Sequence, residues 1–272
     1  MKKWVILIFC ALLLAGCSSP EHSLFTIPTE ETTEFTAEVT TEITGEVPTQ
    51  AVITTQTTVP EETEPLQSNL FIPGVTIDDV ITYFNEVCLD AEMVKGGNAK
   101  LIQKWDVPIY YYIFGEPTED DLIALNDFET WVNTVPGFPG LSATQDLGQA
   151  NMKIYFCTEQ ELHNIMGPGF ENLDGAVTYW YNNNAIYDAT ICIRTDLNQY
   201  LRNSVIKEEL YNGLGPINDT SLREDSIIYA NYSEPQYLTD IDKLIMTLLY
   251  DPTILCGMNA DRCETVLRQL YY

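Results

Sequence analysis

Glu208-Glu209-Leu210-Tyr211-Asn212-Gly213-Leu214-Gly215 decides how this chain is read. It closes a predicted helix that starts near Gln199, and its glycines supply the stop. Upstream lie runs rich in β-branched and aromatic residues: Ile109 to Phe114, Met152 to Cys157, Ala176 to Tyr181 and Ile186 to Ile193, with a shorter candidate at Leu141 to Thr144. These are predicted strands, and the Asn182-Asn183-Asn184 tract predicts a hairpin between the last two long ones. Four helix starts are marked by a threonine three residues before a carboxylate: Thr76 before Asp79, Thr118 before Asp121, Thr158 before Glu161 and Thr239 before Asp242. Behind the second, Leu122, Leu125, Phe128, Val132 and Val135 recur at helical spacing; behind the fourth, Ile241, Leu244, Ile245, Leu248 and Leu249 do the same. This order predicts an α+β domain, a mixed sheet with helices packed on one side and a helical C-terminal portion.

The same succession, ending in a helix that enters a Leu-Gly turn, resembles the zinc-metallopeptidase (zincin) fold, and Glu208 to Gly215 lies where that fold carries HExxHxxG. Val205 to Asp219 and Tyr237 to Met258, with Leu248-Leu249-Tyr250-Asp251-Pro252 and Gly257-Met258, are more closely similar to an uncharacterised bacterial domain family. That family shows an EELxQxLGLxND-like stretch followed by LLYDP and GM, and the similarity covers roughly Asp79 to Leu270. A zincin needs two imidazoles one turn apart on a helix, a glutamate beside the first as general base and a third ligand beyond the glycine. Aligned on the glycine, the resemblance puts Glu208 at the first imidazole, Glu209 at the base, Asn212 at the second imidazole and Asn218 at the third ligand. Only the base is kept. Neutral amides bind zinc poorly, and His163, the one histidine between residues 67 and 272, belongs to the predicted Thr158 helix. The expectation is therefore a degenerate site with no zinc and no cofactor.

Other chemistry is weighed from the same residues. Glu208, Glu209, Asn218, Asp219, Glu224 and Asp225 offer hard oxygen ligands that suit Ca²⁺, without the spacing of an EF-hand loop. A carboxylate acid/base mechanism is the alternative, with Glu209 as base. Adjacent helix residues diverge by about 100°, so Glu208 and Glu209 do not flank one bond, and Glu209 needs a partner such as Asp188, Asp196 or Asp219. In the plainer reading the glutamate pair fixes the Leu214-Gly215 turn. Strand alternation sends Tyr179 and Tyr181 to one face and Trp180 to the other. The zincin-like layout makes their strand the edge beside the cleft, where aromatics stack on sugars or frame an added peptide strand. Of the five cysteines beyond residue 67, Cys256 and Cys263 bracket a short loop and are candidates for a disulfide, while Cys157 and Cys192 are expected as buried thiols and Cys88 has no assigned partner.

The N-terminus adds a location. Lys2 and Lys3 precede the apolar run Trp4 to Leu14, and Leu14-Ala15-Gly16-Cys17 resembles a lipobox. About a dozen apolar residues make roughly 18 Å of helix, short of a ~30 Å hydrocarbon core. Residues 1–16 therefore read as a signal peptide, and the resemblance implies cleavage before Cys17 with diacylglycerol on its thiol. Residues 17–66 read as a disordered tether rich in Thr, Glu and Pro, with ten Glu and no Lys or Arg. Residues 67–272 read as a single domain. The whole chain has 13 basic and 40 acidic residues, a net −27; residues 67–272 keep 11 and 30, a net −19. Such a surface repels phosphate backbones and excludes nucleic acid as a partner. The expectation is a lipid-anchored protein of the bacterial cell membrane, facing outward. Its degenerate zincin-like domain would bind an extracellular protein or a cell-wall polymer through Glu208, Asn212, Asn218, Asp219, Tyr179 and Tyr181. The alternative is a divergent carboxylate-dependent hydrolase of peptides or glycans.

Overall fold

A computed structural model describes residues 71–89, 101–231 and 234–271; the signal segment, Cys17 and the tether lie outside the described residues. The elements run α1 (Ile77–Leu89), β1 (Lys104–Trp105), β2 (Ile109–Phe114), α2 (Glu119–Val132), β3 (Leu141–Ala143), β4 (Met152–Cys157), α3 (Glu159–Met166), β5 (Gly175–Asn182), β6 (Ala185–Arg194), α4 (Gln199–Gly213), α5 (Asp240–Tyr250) and α6 (Ala260–Leu270). Each threonine-carboxylate pair forms at a helix start. The carboxylate accepts from the threonine backbone at Thr76–Asp79, Thr118–Asp121, Thr158–Glu161 and Thr239–Asp242. A donor of the first turn is satisfied this way, and the acid sits at the positive end of the helix dipole.

The sheet is mostly parallel. β3, β2, β4 and β6 lie side by side in that order and run the same way. β5 returns antiparallel along the far edge of β6, and the two-residue β1 runs beside the start of β6. Asn183 and Asn184 have φ of 50° and 65°, so the hairpin is closed by two left-handed residues whose twist matches that of the strands.

Alternation along the strands gives the sheet two different faces. Ile109, Tyr111, Met152, Ile154, Phe156, Val177, Tyr179, Ala189, Ile191 and Ile193 point into the main core, which α2 and α4 cover and α1, α5 and α6 extend. Cys157, Ala176 and Cys192 point the other way and join Leu162, Phe170 and Leu173 in a second, smaller core. That second core corrects the expectation of helices on one side only: α3 lies on the opposite face. Two details of α2 also differ from the spacing argument. The helix ends at Val132, leaving the buried Val135 in the following turn, and Leu122 is exposed while Asp121 points inward. The inward carboxylate displaces the apolar stripe because it has an ionic partner on α4. Among the described residues, no helix is long and apolar enough to cross a membrane.

Candidate functional site

α4 packs closely on the inner face of the sheet, at Val205 and Glu209 and again at its last turn. A Cβ on Gly213 would lie 3.3 Å from Ile191 Cδ1 and 3.4 Å from Val177 Cγ2, and the Gly213 carbonyl accepts from Trp105 Nε1 at 2.9 Å. Beyond it the chain turns at Gly215, whose φ of +125° and near contacts with the Gln103 carbonyl and Leu249 leave no room for a side chain. The Tyr250 hydroxyl donates to the Leu214 carbonyl at 2.8 Å. The Leu-Gly turn is thus locked by groups from β1 and α5.

The motif positions on this helix and in the loop after it are enclosed. Glu208 is 6% exposed, Glu209 7%, Asn212 3% and Asn218 6%. Glu209 lies against the first residue of β5: a Cβ on Gly175 would sit 2.8 Å from its Cγ and Oε1. The Asn212 carbonyl accepts from Gly215 N at 3.2 Å, and its buried Oδ1 has no hydrogen-bond partner among the described residues. Asn218 turns toward α1, where its Nδ2 donates to the Glu86 carbonyl at 3.0 Å. The Glu86 carboxylate then takes the hydroxyls of Thr220, at 2.5 Å, and Ser221, at 3.0 Å. The loop after the motif is clamped to the end of α1 by a residue the sequence reading did not single out. Asp219 is half-buried in that loop.

The zinc that the zincin resemblance implies does not fit this donor set. Two of the three ligand positions hold amides, one of them tied to α1, and among the described residues no three His, Cys, Asp or Glu side chains converge as metal ligands. His163 sits on α3 with its Nδ1 3.7 Å from Glu171. The oxygen ligands considered for Ca²⁺ are spread apart: Asp225 pairs with Arg223 at 2.8 Å, Glu224 faces solvent, and Glu208 and Glu209 are buried. Two of the candidate partners for Glu209 are engaged elsewhere. Asp188 pairs with Lys153 on the outer face, and Asp196 receives both Arg194 Nε and Nη2, at 2.9 and 2.7 Å.

Tyr179 is fully buried, and its hydroxyl donates to Gln103 Oε1 at 3.1 Å. Its ring has no face left for a ligand, which corrects its place among the binding aromatics. Tyr181 is half-buried against the main core, and Trp180 is half-buried on the outer face. Cys256 and Cys263 are both free thiols. The loop between them is closed by backbone instead, with Gly257 N donating to the Ile102 carbonyl and Ile102 N to that of Met258, both at 2.8 Å.

Sequence reasoning missed two buried polar centres that hold α4. At its start, Arg202 Nε donates to Asp121 Oδ1 at 2.7 Å, and Gln199 donates to the same oxygen at 2.6 Å. Burial pushes the Asp121 carboxyl up, but the Arg202 guanidinium and Gln199 amide outweigh it and hold the group below the usual carboxylate range. Near its end, the Tyr211 hydroxyl donates to the Asp242 carbonyl at 2.8 Å. The Asp242 carboxylate accepts from Ser226 at 2.6 Å, from Ile227 N at 3.2 Å and from Thr239. Burial dominates there and raises the Asp242 pKa against those hydrogen bonds. Both acids were legible only as helix caps, because their second partners arrive from distant parts of the chain.

A mostly parallel α/β sheet with an enclosed glutamate helix defines the class of domain. The model of a family described as a protein of unknown function, DUF2927, matches residues 78–269, and the chain belongs to that family. No curated protein matches it.

Proposed function

We propose that the chain is a lipoprotein of the bacterial cell surface, held to the membrane by lipid on Cys17. Its degenerate zincin-like domain acts by binding an extracellular protein or a cell-wall polymer rather than by catalysis. The observation that carries this reading is the enclosure of Glu209, 7% exposed and packed against Gly175. A general base has to meet both substrate and water, and enclosure between helix and strand works against both. The succession β3-β2-β4-β6-β5, with its antiparallel edge strand and with α4 directly after β6, supports the zincin-like layout. The lipobox-like Leu14-Ala15-Gly16-Cys17 and the acidic spacer behind it support the location. Ten like charges with no cation among them favour an extended spacer, which holds the domain away from the bilayer.

Glu209→Gln in the full chain tests the binding reading. The expected result is a lower unfolding temperature and no hydrolysis of casein or peptidoglycan by either form. Hydrolysis by the natural chain that disappears in Glu209→Gln, with the unfolding temperature unchanged, makes the protein a carboxylate-dependent hydrolase instead. Growth with a labelled fatty acid tests the anchor: label on the natural chain and none on Cys17→Ala is expected, and label persisting on the variant refutes it.

A further inference from the structure

The outer face of the sheet carries a cavity that the Glu208–Gly215 motif does not touch and that takes Trp180 from the aromatic run of β5. Alternation along β4, β5 and β6 turns Tyr155, Thr178, Trp180 and Thr190 away from α4, because their neighbours Ile154, Val177, Tyr179 and Ile191 fill the main core. Register sets Thr178 directly across from Thr190, and Trp180 across from Asp188. These four side chains form the floor, and Ile165, Met166 and Phe170, from α3 and the segment after it, complete the lining. The cavity is half-open to solvent, with a volume of about 140 Å³. A protein cavity of about 150 Å³ is known to admit a benzene-sized molecule, so this one has room for about one six-membered ring.

The polar groups around this space are unspent. Thr178 is 7% exposed, yet neither its hydroxyl nor that of Thr190 bonds to another described residue, and the Tyr155 hydroxyl and Trp180 indole N–H are in the same condition. A purely apolar guest would leave these groups dry and unpaired, which is costly. Tyr155 and Trp180, both half-buried, supply the complementary part, flat apolar faces. Beside them Lys153 and Asp188 neutralise one another, so the site holds no cation free to attract an anion, and residues 67–272 as a whole carry −19. The guest that matches a small ring-shaped space with apolar faces, several hydroxyl partners and no net charge is a neutral sugar.

We propose that this cavity binds one pyranose ring of an uncharged glycan, the ring's C–H face stacked on Trp180 or Tyr155 and its hydroxyls bonded to Thr178 and Thr190. The inference names a ligand class and a site of its own. It stands whether or not the α4 region is catalytic, so the Glu209→Gln experiment and the one below fail independently.

Calorimetric titration of the full chain, purified in detergent, with hexa-N-acetylchitohexaose and with cellohexaose tests it. Binding of at least one of the two is expected. Trp180→Ala weakens it about tenfold, the order of one lost aromatic contact, and Thr178→Val weakens it by about fivefold, the order of one lost hydrogen bond. Trp180→Phe keeps a stacking face and stays within about threefold of the natural chain, which separates loss of contact from loss of fold. Absence of heat with both sugars at millimolar concentration overturns the proposal. So does equal affinity in Trp180→Ala, or binding of N-acetyltyrosine amide in place of either sugar.

Discussion

On the inner side of the sheet, Asp121, Arg202 and Asp242 are buried and matched to partners that come from three different helices and a loop. On the outer side, Lys153, Asp188, Tyr155 and Trp180 stay half-exposed, and four polar groups around one small cavity bond to no other described residue. Both sides use the same kinds of side chain; the two acid centres of the inner side are spent on the fold, with Asn212 Oδ1 left without a partner among the described residues, whereas the polar groups around the outer cavity stay open to solvent. A satisfied buried network fixes geometry and offers nothing to a ligand. Polar groups left open in a ring-sized space remain available to a ligand, and the fold gains stability when one binds. The face that carries the glutamate motif is therefore the closed one, and the opposite face, to which Trp180 turns, is the open one.

The largest expected effect comes from opening the closed side. Arg202→Ala leaves Asp121 buried without its guanidinium and should cost about 3–5 kcal/mol in urea unfolding. A loss below about 1 kcal/mol would mean that the inner network is ornamental and would erase the contrast between the faces.

The pH dependence sharpens the comparison within the inner side, because its two acids respond with opposite sign. Asp121 is lowered, so its contribution is present above the unfolded value near pH 4 and fades as pH falls through its folded pKa. Asp242 is raised, so its contribution is full below about pH 4 and is lost as pH rises through its folded pKa. Asp242→Asn should therefore be most destabilising in acid, with the gap to the natural chain narrowing as pH rises from about 4 upward, read by chemical unfolding at a series of pH values. A gap that widens with pH would show that the hydrogen-bonded carboxylate outweighs its desolvation.

The smallest effect is expected on the outer side, at the ring packed behind the cavity floor. Phe114 stacks on Tyr155 at 4.4 Å and 5° while both rings remain half-exposed, so Phe114→Ala should cost about 1 kcal/mol in the same unfolding assay. A cost equal to that of Arg202→Ala would make the outer face as structural as the inner one.

Most of the element order was legible from local rules. The threonine-carboxylate pairs placed four helix starts, and β-branched runs bounded by turn residues placed the long strands. The asparagine tract closed the hairpin with Asn183 and Asn184 in the left-handed region. β1 was not legible, since two residues carry no periodicity, and it exists because Lys104 and Trp105 pair with Ala185 and Ile186. The position of α3 was not legible either. An amphipathic helix declares that it has an apolar face but not which side of a sheet that face will meet.

For the motif, the sequence by itself determined the chemistry available: Glu208, Glu209, Asn212 and Asn218 include no imidazole, and residue type alone carries that conclusion. Tertiary structure alone decided where those residues go. Gly175 lets Glu209 press against β5, Glu86 draws Asn218 to α1, and Tyr179 turns into the core while Trp180 turns out. Each outcome depends on partners far apart along the chain, Asn218 and Glu86 by 132 positions, and packing over that separation has no local signature to read.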